Sequence, residues 1–182
     1  MCIRDRDKTY SKIGGFIGAP PFDRKTFRIA PKVVEQMDDV QKLALTAVHQ
    51  ALADADLEAS PGSGQGRSFN RQETAVILGN SMGGKIEDKT NFRVFFPKAA
   101  KALKESEGFK ALPEAEQVKV LAEFETAYKA WTPQITEDSM PGELSNCIAG
   151  RVANALDLCG PNFTTDAACA ASMAALLSLI HI

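Results

Sequence analysis

A five-residue apolar run, Thr74–Leu78 (TAVIL), closes on Gly79 and opens into a glycine-rich stretch, Gly79–Gly84 (GNSMGG). So short a continuous, β-branched run ended by glycine predicts a buried strand rather than a helix. A strand buried on both faces needs helices to cover it. The chain offers them at helical spacing. Asp38 or Asp39 can cap a helix running to about Asp56, with Val40, Leu43, Ala44, Ala47, Val48, Ala51 and Leu52 on one face. Pro141–Leu158 reads as another, with Leu144, Ile148, Val152 and Leu156 repeating every fourth residue and Ala149 and Ala153 allowing close packing. Cys159–Pro161 breaks it, Asn162–Thr165 (NFTT) reads as a second short strand, and an Ala-rich helix follows over Ala170–Leu177. The order helix, strand, helix, strand, helix predicts an α/β sandwich.

The remaining segments fit around this frame. Gly14–Pro31 has Gly, Pro and Phe without period and reads as irregular. Thr90–Gly108 and Pro113–Trp131 read as amphipathic helices. Their stripes, Phe92, Phe95, Phe96 and Ala99 on one and Val118, Leu121, Phe124 and Tyr128 on the other, predict core or interface, and Lys98–Lys110 a solvated charged face. Ala167–Ile182 is the longest uncharged stretch; it is too short to span a bilayer and predicts a buried helix. Met1–Arg6 (MCIRDR) and Ser178–Ile182 (SLIHI) resemble translated adapter sequence, so functional argument is confined to residues 14–177.

Several function classes are excluded. A net charge of −2 over 182 residues leaves no excess of Lys and Arg for tracking phosphates, so nucleic acid is not the expected partner. The four cysteines, Cys2, Cys147, Cys159 and Cys169, form no C-x-x-C pair and have no histidine at ligand spacing, so no metal site is expected. Met1–Gly14 lacks the apolar core of a secretory signal, which predicts a cytoplasmic protein with reduced thiols and no membrane attachment. In Ala59–Arg71 the glycines do not make a phosphate loop, since Arg67 and Pro61 occupy the places of its Lys and first Gly.

Two nucleophiles compete. Ser81 lies in Gly79-Asn80-Ser81-Met82-Gly83, a G-x-S-x-G after a strand, as in serine hydrolases. Against it, Gly84–Asp88 is a poor start for the buried helix that should follow, and the two histidines, His49 and His181, are badly placed to take its proton. Cys169 sits between a short strand and the first turn of an apolar helix. Free N–H groups and the dipole at such a terminus favour thiolate and can meet a developing oxyanion. Ala167, Ala168, Ala170 and Ala171 leave room for a substrate. A buried, inert cysteine is the plain alternative.

Gly160–Leu176 (GPNFTTDAACAASMAAL) closely resembles the active-site segment of β-ketoacyl synthases. Phe27–Leu57, Val76–Gly84 and Ile148–Asn154 (IAGRVAN) resemble other segments of that family in the same order, and the spelling DAACAAS is similar to modular polyketide and polyunsaturated fatty-acid synthases. The resemblance implies a thiolase-like layered α/β sandwich, present here in part as its N-terminal half, and a homodimer. It implies Cys169 as acyl-accepting nucleophile with its own N–H as an oxyanion donor. It implies Met82 as a gate on the acyl pocket and Met140 near a pocket wall that faces the partner protomer. Substrates would arrive on the phosphopantetheine of an acyl carrier protein, with no cofactor of the chain's own. The chain departs from the family in lacking the two histidine segments that assist decarboxylation and the Gly-Phe-Gly turn. It reads as half a domain, expected alone neither to decarboxylate malonyl thioesters nor to condense, and to be poorly soluble or partly unfolded because it exposes an apolar face. A non-catalytic partner of the chain-length-factor kind is a further reading, against which the presence of Cys169 argues.

If Met82 gates an acyl pocket, Met82→Trp shortens the longest acyl chain accepted while leaving short-chain loading intact, since an unbranched, flexible side chain is replaced by a bulky rigid one. Loading across a series of acyl thioesters checks this; an unmoved chain-length profile makes Met82 turn filler.

Overall fold

A computed structural model describes residues 3–5, 8–9, 13–15, 17–18, 21–81 and 84–180. Met82 therefore lies outside the described residues, as do Cys2, His181 and part of each supposed adapter flank. Near the start, β1 (Ile3–Asp5) pairs antiparallel with β2 (Lys8–Thr9). Then α1 (Pro31–Gln36) and α2 (Asp39–Asp54) lead through a one-turn 3-10 segment (Arg71–Glu73) into β3 (Val76–Gly79). Helices α3 (Lys85–Val94), α4 (Phe96–Glu105), α5 (Glu107–Lys110) and α6 (Glu114–Ala130) follow. The chain returns through α7 (Ser139–Glu143) and α8 (Asn146–Ala155) to β4 (Asn162–Thr165), a 3-10 turn (Ala168–Ala170) and α9 (Ala171–Ile180).

The two expected strands form a parallel pair, in register from Val76 opposite Asn162 to Gly79 opposite Thr165. Parallel neighbours need a long crossover, here the helices from α3 to α8. Behind the pair lies the core: Phe27, Met37, Leu45, Val76, Ala149, Val152, Ala153, Leu156 and Leu158, with Ala44, Val48 and Leu52 of α2 packed against it. The alanines of α8 let α2 and β3 approach it closely, as their spacing predicts. Leu144 departs from the predicted stripe and is exposed.

Three expectations are corrected. The helix predicted over Pro141–Leu158 is two helices. Leu144 is extended (φ −67°, ψ 129°), and Ser145 is held by hydrogen bonds from elsewhere in the chain, which the local apolar period does not encode. The helix expected from Thr90 begins already at Lys85, and no residue of it is buried, so Gly84–Asp88 is indeed not the start of a buried helix. The cap of this helix comes from Asp38, 48 residues away in sequence, whose Oδ2 accepts from Ile86 N–H at 2.8 Å while Oδ1 accepts from Val40 N–H at 3.0 Å. One buried carboxylate thus caps both α2 and α3, answering orphan N–H groups and both dipoles. Gly84 is required there, because a Cβ would run into the Asp38 carboxylate. Finally, the helix expected to be buried at the C-terminal end is buried on one side only. Ala171 and Ala175 pack inward, while Met173, Leu176, Leu177, Leu179 and Ile180 are half or more exposed. Small residues one turn apart bring α9 against β3 by its backbone, so its large side chains point elsewhere.

The aromatic stripes divide. Phe92 stacks on Tyr128 with ring centroids 4.0 Å apart, and Phe96 packs on Phe124 and Tyr128. Phe95 faces outward beneath the Lys98 ammonium, and Val118 is exposed.

At the start of α2, Asp39 pairs with Lys85 at 3.2 Å and Lys42 at 3.5 Å. Burial opposes its charge, but the hydrogen bond from Lys85 and the charge of Lys42 outweigh that and hold the carboxyl below its ordinary value. The stabilisation this carries is present above the ordinary aspartate pKa and is lost as pH falls through the lower, folded-state value. Asp38→Ala is expected to cost about 1 kcal/mol at each of two helix starts, roughly 2 kcal/mol in all, in urea denaturation. A loss within about 0.5 kcal/mol, that of an ordinary surface change, contradicts the double cap.

Candidate active site

Because β3 and β4 are parallel, the turns leaving them emerge at the same edge, and in α/β sheets this carboxyl edge is where ligands bind. One turn begins Asn80-Ser81. The other is Asp166–Ala170 and carries Cys169. Asn80 N–H donates to Thr165 O at 3.0 Å, extending the ladder one step past the strands and fixing the two turns side by side.

The second turn is tight. Asp166 Oδ1 accepts from Ala168 N–H at 2.9 Å, and Ala168 takes a left-handed conformation, φ 48°, that costs a residue with a Cβ. Ala170 N–H donates to Ala167 O at 3.0 Å, closing the 3-10 turn. Cys169 is the second residue of that turn, where a helical N–H has no partner within the helix. Thr165 Oγ1 donates to Ala171 O at 3.2 Å, tying the end of β4 to the start of α9. Gly79 permits the arrangement: a Cβ there would run into the Ala171 backbone.

Cys169 is exposed, not the inert buried thiol of the plain alternative. Cys159, also exposed, precedes β4 and lies at the opposite end of the strands, about 13 Å away for four residues rising roughly 3.3 Å each. Cys147 falls within the helix predicted over Pro141–Leu158, and the structure places it at a helix start instead. With α8 starting at Asn146, it too occupies a helix N-terminus, but it is half-buried and its N–H is spent on Leu144 O at 3.1 Å. One turn on, burial pushes the Arg151 guanidinium below its ordinary pKa, against the opposing influence of Cys147 and Asp138.

Ser81 is half-buried beside Asn80. His49, the one histidine among the described residues, faces away from it. Its Nε2 lies 3.3 Å from Ser60 Oγ and its ring meets the edge of Phe27. It stands ten residues along α2 from Asp39, roughly 15 Å at about 1.5 Å per residue, while Asp38 joins the strand-end side. The structure thus supplies no base to Ser81 among the described residues. Met140 is exposed on α7, whose chain reaches the strand ends five residues later at Ser145.

Two residues at the site, Asn80 and Ser145, escape a reading of the sequence. Asn80 Nδ2 donates to Ser145 Oγ at 2.9 Å, and Thr164 Oγ1 donates to Ser145 O at 2.9 Å. A serine inside a predicted helix is the available signal, since such residues prefer caps and turns. No group of three or more His, Cys, Asp and Glu side chains suited to a metal ion occurs among the described residues, and no helix among them is long and apolar enough to cross a membrane.

The family model described as Beta-ketoacyl synthase, N-terminal domain, matches residues 4–181. The chain is 34% identical over 171 residues to a component of the polyunsaturated fatty acid synthase of Thraustochytrium sp., an overlap covering 94% of this chain and 6% of that protein. It is 30% identical over 171 residues to the mellein synthase of Phaeosphaeria nodorum, covering 93% of this chain and 7% of that one. Over 60 residues, 32% of the chain, it is 50% identical to the polyketide synthase ThaG of Burkholderia thailandensis, spanning 1% of that protein. The chain thus spans only a small fraction of each of these relatives.

Cys169 combines exposure with a place in a helical first turn, whereas Cys159 is exposed but has its N–H spent on Arg71 O and Cys147 is half-buried. Iodoacetamide is expected to alkylate Cys169 first, ahead of Cys159 and well ahead of Cys147, when peptides are mapped by mass spectrometry over a time course. Equal labelling of the three, or Cys159 first, contradicts the assignment.

Proposed function

The chain belongs to the β-ketoacyl synthase family, and from that premise we propose that Cys169 is the nucleophile of an acyl-transfer and condensation reaction. The observation that carries the reading is the exposed Cys169 in a strained one-turn segment at the shared carboxyl edge of β3 and β4. The Cys169 thiolate attacks the carbonyl carbon of an acyl thioester, a new C–S bond forms, and the Cys169 N–H stabilises the oxyanion of the tetrahedral intermediate. Collapse breaks the original C–S bond, and the departing carrier thiolate takes a proton from water.

In condensation, a malonyl thioester loses carbon dioxide. The electron pair left on its α-carbon attacks the Cys169-bound acyl carbonyl. The new C–C bond releases the cysteine thiolate and leaves a β-ketoacyl thioester on the carrier. Both thioesters are carried by the phosphopantetheine of an acyl carrier protein, which is the partner this reading requires, and the chain itself holds no cofactor. Names of relatives support the class: a polyketide synthase, a mellein synthase and a polyunsaturated fatty acid synthase. The parallel pair with α8 and α9 packed on it is compatible with one part of a thiolase-like sandwich. On this reading Met82 gates the acyl pocket, Met140 borders it from the side of the other protomer in a homodimer, and the setting is cytoplasmic.

Cys169→Ser is expected to lower acyl loading from a carrier thioester by at least about 100-fold, because a hydroxyl without an adjacent base is a far weaker nucleophile than a thiolate, whereas Cys159→Ser leaves loading unchanged. The 182-residue chain is expected to load acyl groups without releasing carbon dioxide from malonyl-carrier protein, since it contains neither histidine segment. Carbon dioxide release by the chain overturns the second expectation, and acyl loading unchanged in Cys169→Ser overturns the assignment.

A further inference from the structure

Two segments meet the strand ends at one residue. Ser145, immediately before α8, accepts from Asn80 Nδ2 with its Oγ and from Thr164 Oγ1 with its carbonyl, each at 2.9 Å. Asn80 is the first residue beyond β3, and its own N–H is spent on Thr165 O. Thr165 in turn donates through Oγ1 to Ala171, two residues after Cys169. A continuous run of hydrogen bonds therefore joins the α8 N-terminus to both turns at the carboxyl edge. Asn80, Ser145, Thr164 and Thr165 are each partly buried, so water competes weakly for these bonds. The core beneath does not define this edge by itself. Gly79 adds no side chain, and the residues from Asp166 to Ala170 are all exposed. Packing of α9 on β3 at Gly79 fixes the two ends of the Cys169 turn, and polar contacts complete its attitude.

We propose that Asn80 and Ser145 form a positioning pair that sets the orientation of the Cys169 turn against the end of β3; the inference rests on Cys169 being the acyl-accepting nucleophile. Neither side chain takes a proton or bonds to substrate. Their hydrogen bond keeps the turn after β3 and the turn after β4 in one fixed relation, so that the thiol and its N–H meet a thioester carbonyl together. Misplacement of a reacting group by about 1 Å costs on the order of 100-fold in rate, so the pair acts on the chemical step rather than on binding.

The test measures acyl loading of the full chain from acyl-pantetheine in the wild type, Asn80→Ala, Ser145→Ala, the double variant and Ser145→Thr, with a thermal melt of each. The expected result is a fall in loading kcat of about 10- to 100-fold in each single Ala variant, with KM unchanged. The double variant is expected to be no slower than the singles, because both remove the same bond. Ser145→Thr, which keeps the hydroxyl, recovers most of the rate. A rise in KM at unchanged kcat, effects that multiply in the double variant, or rates that follow only the melting temperatures overturn the pair as a positioning device. A wild type that loads normally beside unaffected variants overturns the positioning alone. A wild type that does not load at Cys169 overturns the functional reading, and the positioning role with it.

Discussion

The approach of α9 to β3 is so close that backbone meets backbone. Gly79 ends the strand with no side chain, and Ala171 and Ala175 present only methyl groups. That contact fixes where α9 begins, and so how few residues remain to join β4 to it. Five residues must reverse the chain, from Asp166 to Ala170, and one of them takes a left-handed conformation to do so. A larger residue at position 79 would push α9 outward and relax the turn that holds Cys169 at the edge.

Polar groups complete what packing begins. Asp38 and Ser145 each serve a local helix start and also join segments far apart in sequence. Asp38 serves two helix starts with one carboxylate, and its own N–H is taken by Gly142 O at 3.1 Å, which brings α7 alongside. Ser145 then passes that placement to the strand ends. Unlike the apolar core, which tolerates exchange of one hydrophobe for another, these contacts demand particular atoms at particular positions.

The sequence pattern reveals both strands, the run of α2 and the small-residue helix after Cys169, because each carries a local signature: a β-branched run, a 3.6-residue period, an N-cap, a Gly-Pro break. The choice of Cys169 over Ser81 as expected nucleophile leans on the family resemblance instead. The division of Pro141–Leu158 and the start of α3 are not legible, since both are decided by partners 48 or more positions away in sequence, Asp38 for Ile86 and Asn80 for Ser145. The outward turn of Phe95 and of the large apolar residues of α9 is likewise hidden. Periodicity identifies a stripe but not whether anything covers it. Ser81 shows the limit of a short motif: it is complete over five residues, yet the sequence already places both histidines badly, and the position of His49 against Ser60 agrees.

The central claim is that the acyl group is carried by Cys169. It is tested most directly by trapping the adduct: the chain is incubated with an acyl-pantetheine thioester, quenched in acid, digested, and the acylated peptide sequenced by tandem mass spectrometry. The account predicts the acyl mass on Cys169, labile to hydroxylamine at neutral pH as a thioester is. An acyl group on Ser81 or Cys159, or a hydroxylamine-resistant adduct, contradicts it.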